Sequence, residues 1–208
     1  MKYVIGLTGN IATGKSTVLS MLRGLGAEVI DADSITRSVM RRGQPVHQEV
    51  VAAFGSEILG PDLEINRSAL GRRVFSDPTA LRRLEQIVHP PTVKRIMRRI
   101  RRSPASVIVV EAIKLIESGM AGQLCHALWV VDAPQEQQMA RLMTTRGFSR
   151  QEALQRIEAQ PPQAEKVAAA DVVIRNAGSL EETRRQVLDA WERIPTEFRR
   201  GASPRKLR

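Results

Sequence analysis

The stretch Gly6-Leu7-Thr8-Gly9-Asn10-Ile11-Ala12-Thr13-Gly14-Lys15-Ser16-Thr17 decides how the rest of the chain is read. A short apolar run, Tyr3 to Leu7, precedes the glycines, and Val18, Met21, Leu22 and Leu25 follow at the spacing of one helix face. Strand, glycine loop and helix form the context in which Gly9-x4-Gly14-Lys15-Ser16 fits the phosphate-loop pattern G-x-x-x-x-G-K-[ST]. Gly9 and Gly14 let the backbone turn tightly, so that the amides of Asn10, Ile11, Ala12, Thr13 and Thr17 and the positive end of the helix face a polyphosphate. Lys15 adds a point charge toward the β- and γ-phosphates of ATP, and the Ser16 hydroxyl is a ligand for a bridging Mg²⁺. An ordinary glycine-rich turn with a surface lysine is the competing reading, and the matching flanks argue against it.

Working outward, Ala27 to Ile30 reads as a buried strand ending in Asp31-Ala32-Asp33, and Val107 to Val110 and Ala127 to Val131 read as strands ending at Glu111 and Asp132. A fifth strand covers Asp171 to Ile174. Short apolar runs separated by helical segments predict an α/β fold, a five-stranded parallel sheet with helices on both faces. The core then comprises 1–33, 104–140 and 170–198. A helical insert, 34–103, and a lid, 141–169, both leave from the carboxyl ends of strands, where ligands bind in such sheets. Gly43-Gln44-Pro45 and Gly60-Pro61-Asp62 read as breaks, and Asp77-Pro78 as a helix start. Val93, Ile96, Met97 and Ile100 form the apolar stripe of an amphipathic helix over 92–102. The lid is read as a helix through Arg141, a break at Arg146-Gly147-Phe148 and a second helix from Ser149 through Gln160. Ser149-x-x-Glu152 and Ser179-x-x-Glu182 are capping boxes.

The net charge of +10 is local. Thr92–Arg102 holds six basic residues and the tail 199–208 holds five, with no acidic residue in either; the remainder counts 21 basic against 22 acidic. Seven aromatic residues are few for a protein that stacks on nucleic-acid bases, so no nucleic acid is expected as partner. The single cysteine, Cys125, allows no intrachain disulfide. No apolar stretch nears the roughly 20 residues of a membrane span, and no signal-like segment opens the chain. A cytoplasmic protein with no membrane partner, a monomer or weak homo-oligomer, is the expectation.

Several residues have two readings. Asp33 is either the group that takes a proton from an acceptor hydroxyl or the N-cap of the helix near Ser34. Asp31 is structural or lies in the outer sphere of the metal, and Glu111 either orients metal-bound water or is a solvated strand end. Arg141 and Arg146 either neutralise charge on the transferring phosphoryl group or are surface arginines. His89 either contacts substrate or packs a helix end.

Taken together, the chain resembles the dephospho-coenzyme A kinases. The resemblance runs from Val4 to about Trp191. It rests on Ile5–Ile11 with Gly14–Thr17, on Val29–Asp33, Leu70 with Phe75, His89-Pro90 and Leu115-Ile116-Glu117, and on Arg156-Ile157, Gln160, Lys166, Ala170-Asp171 and Asn176-x-Gly178. It implies a P-loop kinase fold and transfer of the γ-phosphoryl group of ATP to the ribose 3′-hydroxyl of dephospho-coenzyme A. It also implies that Asp33 is the acid/base residue, that 141–169 is the lid and that 34–103 carries much of the acceptor site. The chain departs from the family pattern in two places: Lys114 enters a normally apolar segment, and Thr145 stands where a second lid arginine is usual. A nucleoside or nucleotide kinase would share the loop and lid; a guanine-nucleotide switch would need an Asn-Lys-x-Asp motif, which the sequence lacks.

Overall fold

The computed structural model describes residues 1–199; residues 200–208, the rest of the basic tail, lie outside them. The chain divides into two compact units, one formed by Met1–Ile30 with the chain from Ile100 on, the other by Asp31–Arg99. The first is built on strands β1 (Tyr3–Thr8), β2 (Glu28–Asp31), β3 (Val107–Glu111), β4 (Ala127–Asp132) and β5 (Val172–Arg175), in the sheet order β2-β3-β1-β4-β5. The resolved pairings are parallel: Ile5 stands opposite Val109 on one side and Ala127 on the other, and Val130 stands opposite Val173.

Alternation along the strands splits the core between two faces. Ile5, Leu7, Val107, Val109, Trp129, Val131 and Ile174 pack against helices α1 (Lys15–Gly24) and α10 (Leu180–Glu192), which contribute Val18, Leu22, Val187 and Trp191. Val4, Ile108, Val110, Leu128 and Val130 point the other way and are buried as well, with α6 (Met120–Leu124) and α9 (Gln163–Ala168) packed on that side against β1 and β4. A sheet buried on both faces explains the near-continuous apolar runs in its sequence; each such Val, Ile or Leu contributes about 1.5–3 kcal/mol by leaving water. Cys125, just after α6, is half-buried and its thiol is pushed up to about 12 by burial. The segment between β4 and β5 holds α7 (Gln135–Arg146) and α8 (Arg150–Glu158), joined by a small core of Met139, Leu142 and Ala153.

The second unit is helical, with α2 (Ala32–Val39), α3 (Pro45–Phe54), α4 (Arg67–Phe75) and most of α5 (Pro78–Arg102). The only extended pairing among the described residues there is an isolated bridge, Leu59 with Ile65.

Several boundaries differ from the sequence reading. The helix read through Arg141 runs on to Arg146 and ends at the break expected at Arg146-Gly147-Phe148, where Gly147 caps it with a left-handed backbone, φ +66°. The helix from Ser149 ends at Glu158 rather than Gln160, although both capping boxes are formed. His89 does not end a helix: α5 continues through Pro90 and Pro91. Two prolines remove two backbone donors, those facing the carbonyls of Gln86 and Ile87, and the Thr92 hydroxyl donates to the Val88 carbonyl at 2.8 Å. Met97 leaves the apolar stripe and is exposed, while Ile96 is buried. The cap of α2 is Asp31, whose Oδ1 accepts from the Ser34 amide at 2.7 Å; Asp33 lies inside the first turn, so the capping role weighed for it falls to its neighbour.

Candidate active site

β1 ends at Thr8, α1 begins at Lys15, and the six residues between form a cradle whose geometry follows from where its carbonyls go. Lys15 Nζ donates to the carbonyl oxygens of Gly9 at 2.8 Å and Asn10 at 3.4 Å. The Thr13 hydroxyl also donates to Asn10 O, at 3.0 Å. Arg141 Nη1 reaches the carbonyls of Ala12 and Thr13, both at 3.1 Å, and Asn176 Nδ2 donates to Thr13 O at 2.9 Å. With four carbonyls turned toward donors, the loop curls round a concave site at the start of α1; of the amides expected to face a polyphosphate, those of Asn10 and Ile11 instead donate to Gln163 and Gln160, that of Thr13 to Asn10 O and that of Thr17 to Gly14 O. The first N–H groups of α1 have no partners inside that helix and carry its positive end to the same place.

The backbone needed for this has φ +148° at Gly9, +59° at Ala12 and +97° at Gly14. At Gly14 a Cβ would lie 1.9 Å from Asn176 Nδ2, and at Gly9 one would lie 2.4 Å from the Val131 carbonyl oxygen. These glycines therefore answer both a left-handed turn and a close approach. Ala12 pays about 1–2 kcal/mol for its left-handed backbone. It is held there by the Met139, Leu142 and Ala153 core, on which it and Ile11 pack.

The segment that follows α8 is tied to the same loop. Gln160 Oε1 accepts from the Ile11 amide at 2.7 Å and Gln163 Oε1 from the Asn10 amide at 3.0 Å, while Asn10 Nδ2 donates to Pro161 O at 2.9 Å. Gln163 Nε2 also donates to the Val131 carbonyl at 2.9 Å, so one side chain joins the loop to β4. Asn10 is 4% exposed and its Oδ1 has no hydrogen-bond partner.

Of the residues singled out in the sequence, the loop, Lys15, Ser16, Thr17 and Arg141 are brought together in the first unit. Ser16 is exposed at the start of α1. Arg141 is a brace: Nη2 donates to Asn176 O at 2.7 Å and Gln137 Oε1 at 3.3 Å, in addition to the two loop carbonyls. Arg146 is exposed at the end of α7. Glu111 closes β3 opposite Leu7, level with the start of the loop. Asp31, Asp33 and His89 belong to the second unit; Asp31 Oδ2 lies 3.6 Å from Arg37 Nη2, and Asp33 and His89 are half-buried on α2 and α5. Lys114 is exposed, with its neighbour Leu115 buried, so the unusual lysine costs the core nothing.

Sequence reasoning named Gln160, Lys166 and Asn176 only as positions of the family pattern, with no role, and passed over Gln163. Lys166, 2% exposed, donates to Ile113 O at 2.8 Å and pairs with Glu117 Oε1 at 2.9 Å. Asn176 follows the last residue of β5, and the rule that ligand-side residues sit past carboxyl ends of parallel strands was the signal available for it. Pro161-Pro162 fixes the backbone between the two glutamines, but nothing in the local sequence tells that their side chains turn toward residues 10 and 11.

The dephospho-CoA kinase family model matches residues 3–182. A dephospho-CoA kinase of Geobacter metallireducens is 50% identical over 195 residues, covering 92% of this chain and 96% of the relative. Among solved structures, a Thermus thermophilus protein superposes with a TM-score of 0.79 at 36% identity, covering 93% of this chain and 98% of its own. A dephospho-CoA kinase from Campylobacter jejuni does so with 0.66 at 26%, covering 95% and 99%.

Proposed function

The chain belongs to the dephospho-CoA kinase family, and from that premise we infer that it transfers the γ-phosphoryl group of ATP to the ribose 3′-hydroxyl of dephospho-coenzyme A, giving coenzyme A and ADP. The observation that supports the reading is the loop whose carbonyls are drawn back by Lys15, Arg141 and Asn176, which leaves the positive end of α1 at its mouth for a polyphosphate. The alternative of a nucleoside or nucleotide kinase has no comparable support from relatives.

In the reaction the 3′-oxygen forms a bond to the γ-phosphorus as the bond to the β–γ bridging oxygen breaks. The hydroxyl proton passes to Asp33, our candidate proton acceptor, and the charge left on the leaving ADP is met by the loop amides and Lys15. Arg141 adds a second positive charge behind the loop, and Arg146, at the end of α7, is our candidate for another once 141–169 closes as a lid. His89 and Glu111 are proposed acceptor contacts. Mg²⁺ prefers one or two protein oxygens with phosphate and water, and the exposed Ser16 hydroxyl at the start of α1 is an oxygen of that kind. Ser16 would supply the hydroxyl, with Asp31 and Glu111 acting through water, and the ion would screen charge between the β- and γ-phosphates.

We place the chain in the cytoplasm as a monomer or weak homo-oligomer; among the described residues no helix is long and apolar enough to cross a membrane. The test is direct. Purified protein with ATP and Mg²⁺ is expected to convert dephospho-coenzyme A to coenzyme A in preference to a panel of nucleosides and nucleoside monophosphates; preference for the panel overturns the reading.

A further inference from the structure

We propose that Gln163 and Gln160 are positioning residues for phosphoryl transfer, acting on the Lys15 ammonium through two successive peptide units of the loop. The proposal rests on the reaction assigned above. A peptide unit is a rigid plane with its carbonyl and its N–H on opposite edges. In the unit that joins Gly9 to Asn10, the carbonyl oxygen accepts from Lys15 Nζ at 2.8 Å and the amide donates to Gln163 Oε1 at 3.0 Å. In the next unit, Asn10 to Ile11, the carbonyl oxygen accepts from Lys15 Nζ at 3.4 Å and the amide donates to Gln160 Oε1 at 2.7 Å. Each glutamine grips one edge of a plane whose other edge holds the lysine.

Those planes need a grip. Gly9, at φ +148°, has no side chain to resist rotation of the unit that follows it. Turned over, that unit would present an N–H to the ammonium in place of an oxygen. Gln163 opposes this from a fixed base, because its Nε2 donates to the carbonyl of Val131, a fully buried residue of β4, at 2.9 Å. The second plane is held further by Asn10 Nδ2, which donates to Pro161 O at 2.9 Å, and by the Thr13 hydroxyl, which donates to Asn10 O at 3.0 Å. Lysine is a point charge on a flexible four-carbon stem. Its charge serves the transferring phosphoryl group best when the ammonium is fixed before the reaction begins. The glutamines set where that charge stands and need touch no substrate themselves.

The experiment is a double-mutant cycle on the full chain, read as kcat with saturating ATP, Mg²⁺ and dephospho-coenzyme A. Gln163→Leu is expected to lower kcat about tenfold, and Gln160→Leu, whose plane makes the longer lysine contact, about threefold. KM for dephospho-coenzyme A stays within about twofold in both, the mark of an interaction that matters in the transition state rather than in acceptor binding. In a Lys15→Ala background each glutamine replacement changes kcat by less than about twofold, because the group it positions is gone. Equal losses in both backgrounds overturn the proposal, since they report general damage to the loop. An unchanged kcat in both Gln163→Leu and Gln160→Leu overturns it too. Thermal unfolding checks that each variant is folded; should Gln163→Leu not fold, the Gln160→Leu cycle decides by the same criteria. Wild-type protein that fails to make coenzyme A at all sinks the reaction itself, an outcome visible before any variant is made.

Discussion

Replacing Lys15 with alanine and Asp33 with asparagine separates binding from chemistry. Lys15 both holds Gly9 O and Asn10 O and supplies charge to the phosphates, so Lys15→Ala is expected to lower turnover by about 10²–10³-fold and to weaken ATP binding, measured by titration calorimetry. Asp33→Asn is expected to lower turnover by about 10²–10⁴-fold with ATP affinity unchanged; near-normal turnover in that variant removes the proton-acceptor role. The two carboxylates of Asp31-Ala32-Asp33 show the limit of reading residues singly. Each is a good N-cap, and local sequence does not say whether the helix starts at residue 32 or 34. The phosphate loop was legible because its chemistry lies within consecutive residues. Its brace was not: Arg141 and Asn176 stand 128 and 163 positions from Thr13, and only the fold brings them there.

At the scale of elements, the most exacting joint is between α9 and the segment after β3. Lys166, buried on α9, is satisfied by Ile113 O and Glu117, and Ile113 O also accepts from the Thr8 hydroxyl at 3.1 Å. Lys166→Met leaves Glu117 and a carbonyl without that donor. Because Glu117 retains 31% exposure, the expected cost is about 2 kcal/mol by urea unfolding, below the figure for a fully buried pair; Glu117→Gln in the same chain is expected to restore part of it. The capping boxes give a pH signature. Glu152 and Glu182 are held below the ordinary 4.5, first by the backbone amides of Ser149 and Ser179 and then by the hydroxyls of the same serines. A carboxyl lowered in the folded state stabilises fully above its unfolded value and loses that contribution as pH falls through the folded one. Glu152→Gln with Glu182→Gln is therefore expected to flatten the fall of Tm below about pH 4.5 relative to wild type. These boxes were readable from four residues each. The passage of α5 through Pro90-Pro91 was not, because propensity marks a break there and packing of Val88, Thr92 and Ile96 overrides it.

For the whole molecule, ligand binding should report on the loop through stability. ATP at 100 times its Kd adds about 2.7 kcal/mol, which for a chain of this size is a rise in Tm of roughly 5–10 °C. Calorimetry is expected to show it in wild type and to lose most of it in Lys15→Ala. The fold class was legible from five apolar runs whose alternation with helices admits few arrangements, whereas the ties of Gln160 and Gln163 to the loop depend on side chains that meet only after the sheet has formed. One further trait follows from Cys125, whose thiol is pushed up to about 12 by burial. Exchange needs a thiolate, and this sulfur stays protonated at neutral pH. An enzyme whose acceptor and product both end in a free sulfhydryl thus avoids being capped by its own cargo under oxidising stress. Incubation with oxidised coenzyme A is expected to leave the intact mass unaltered.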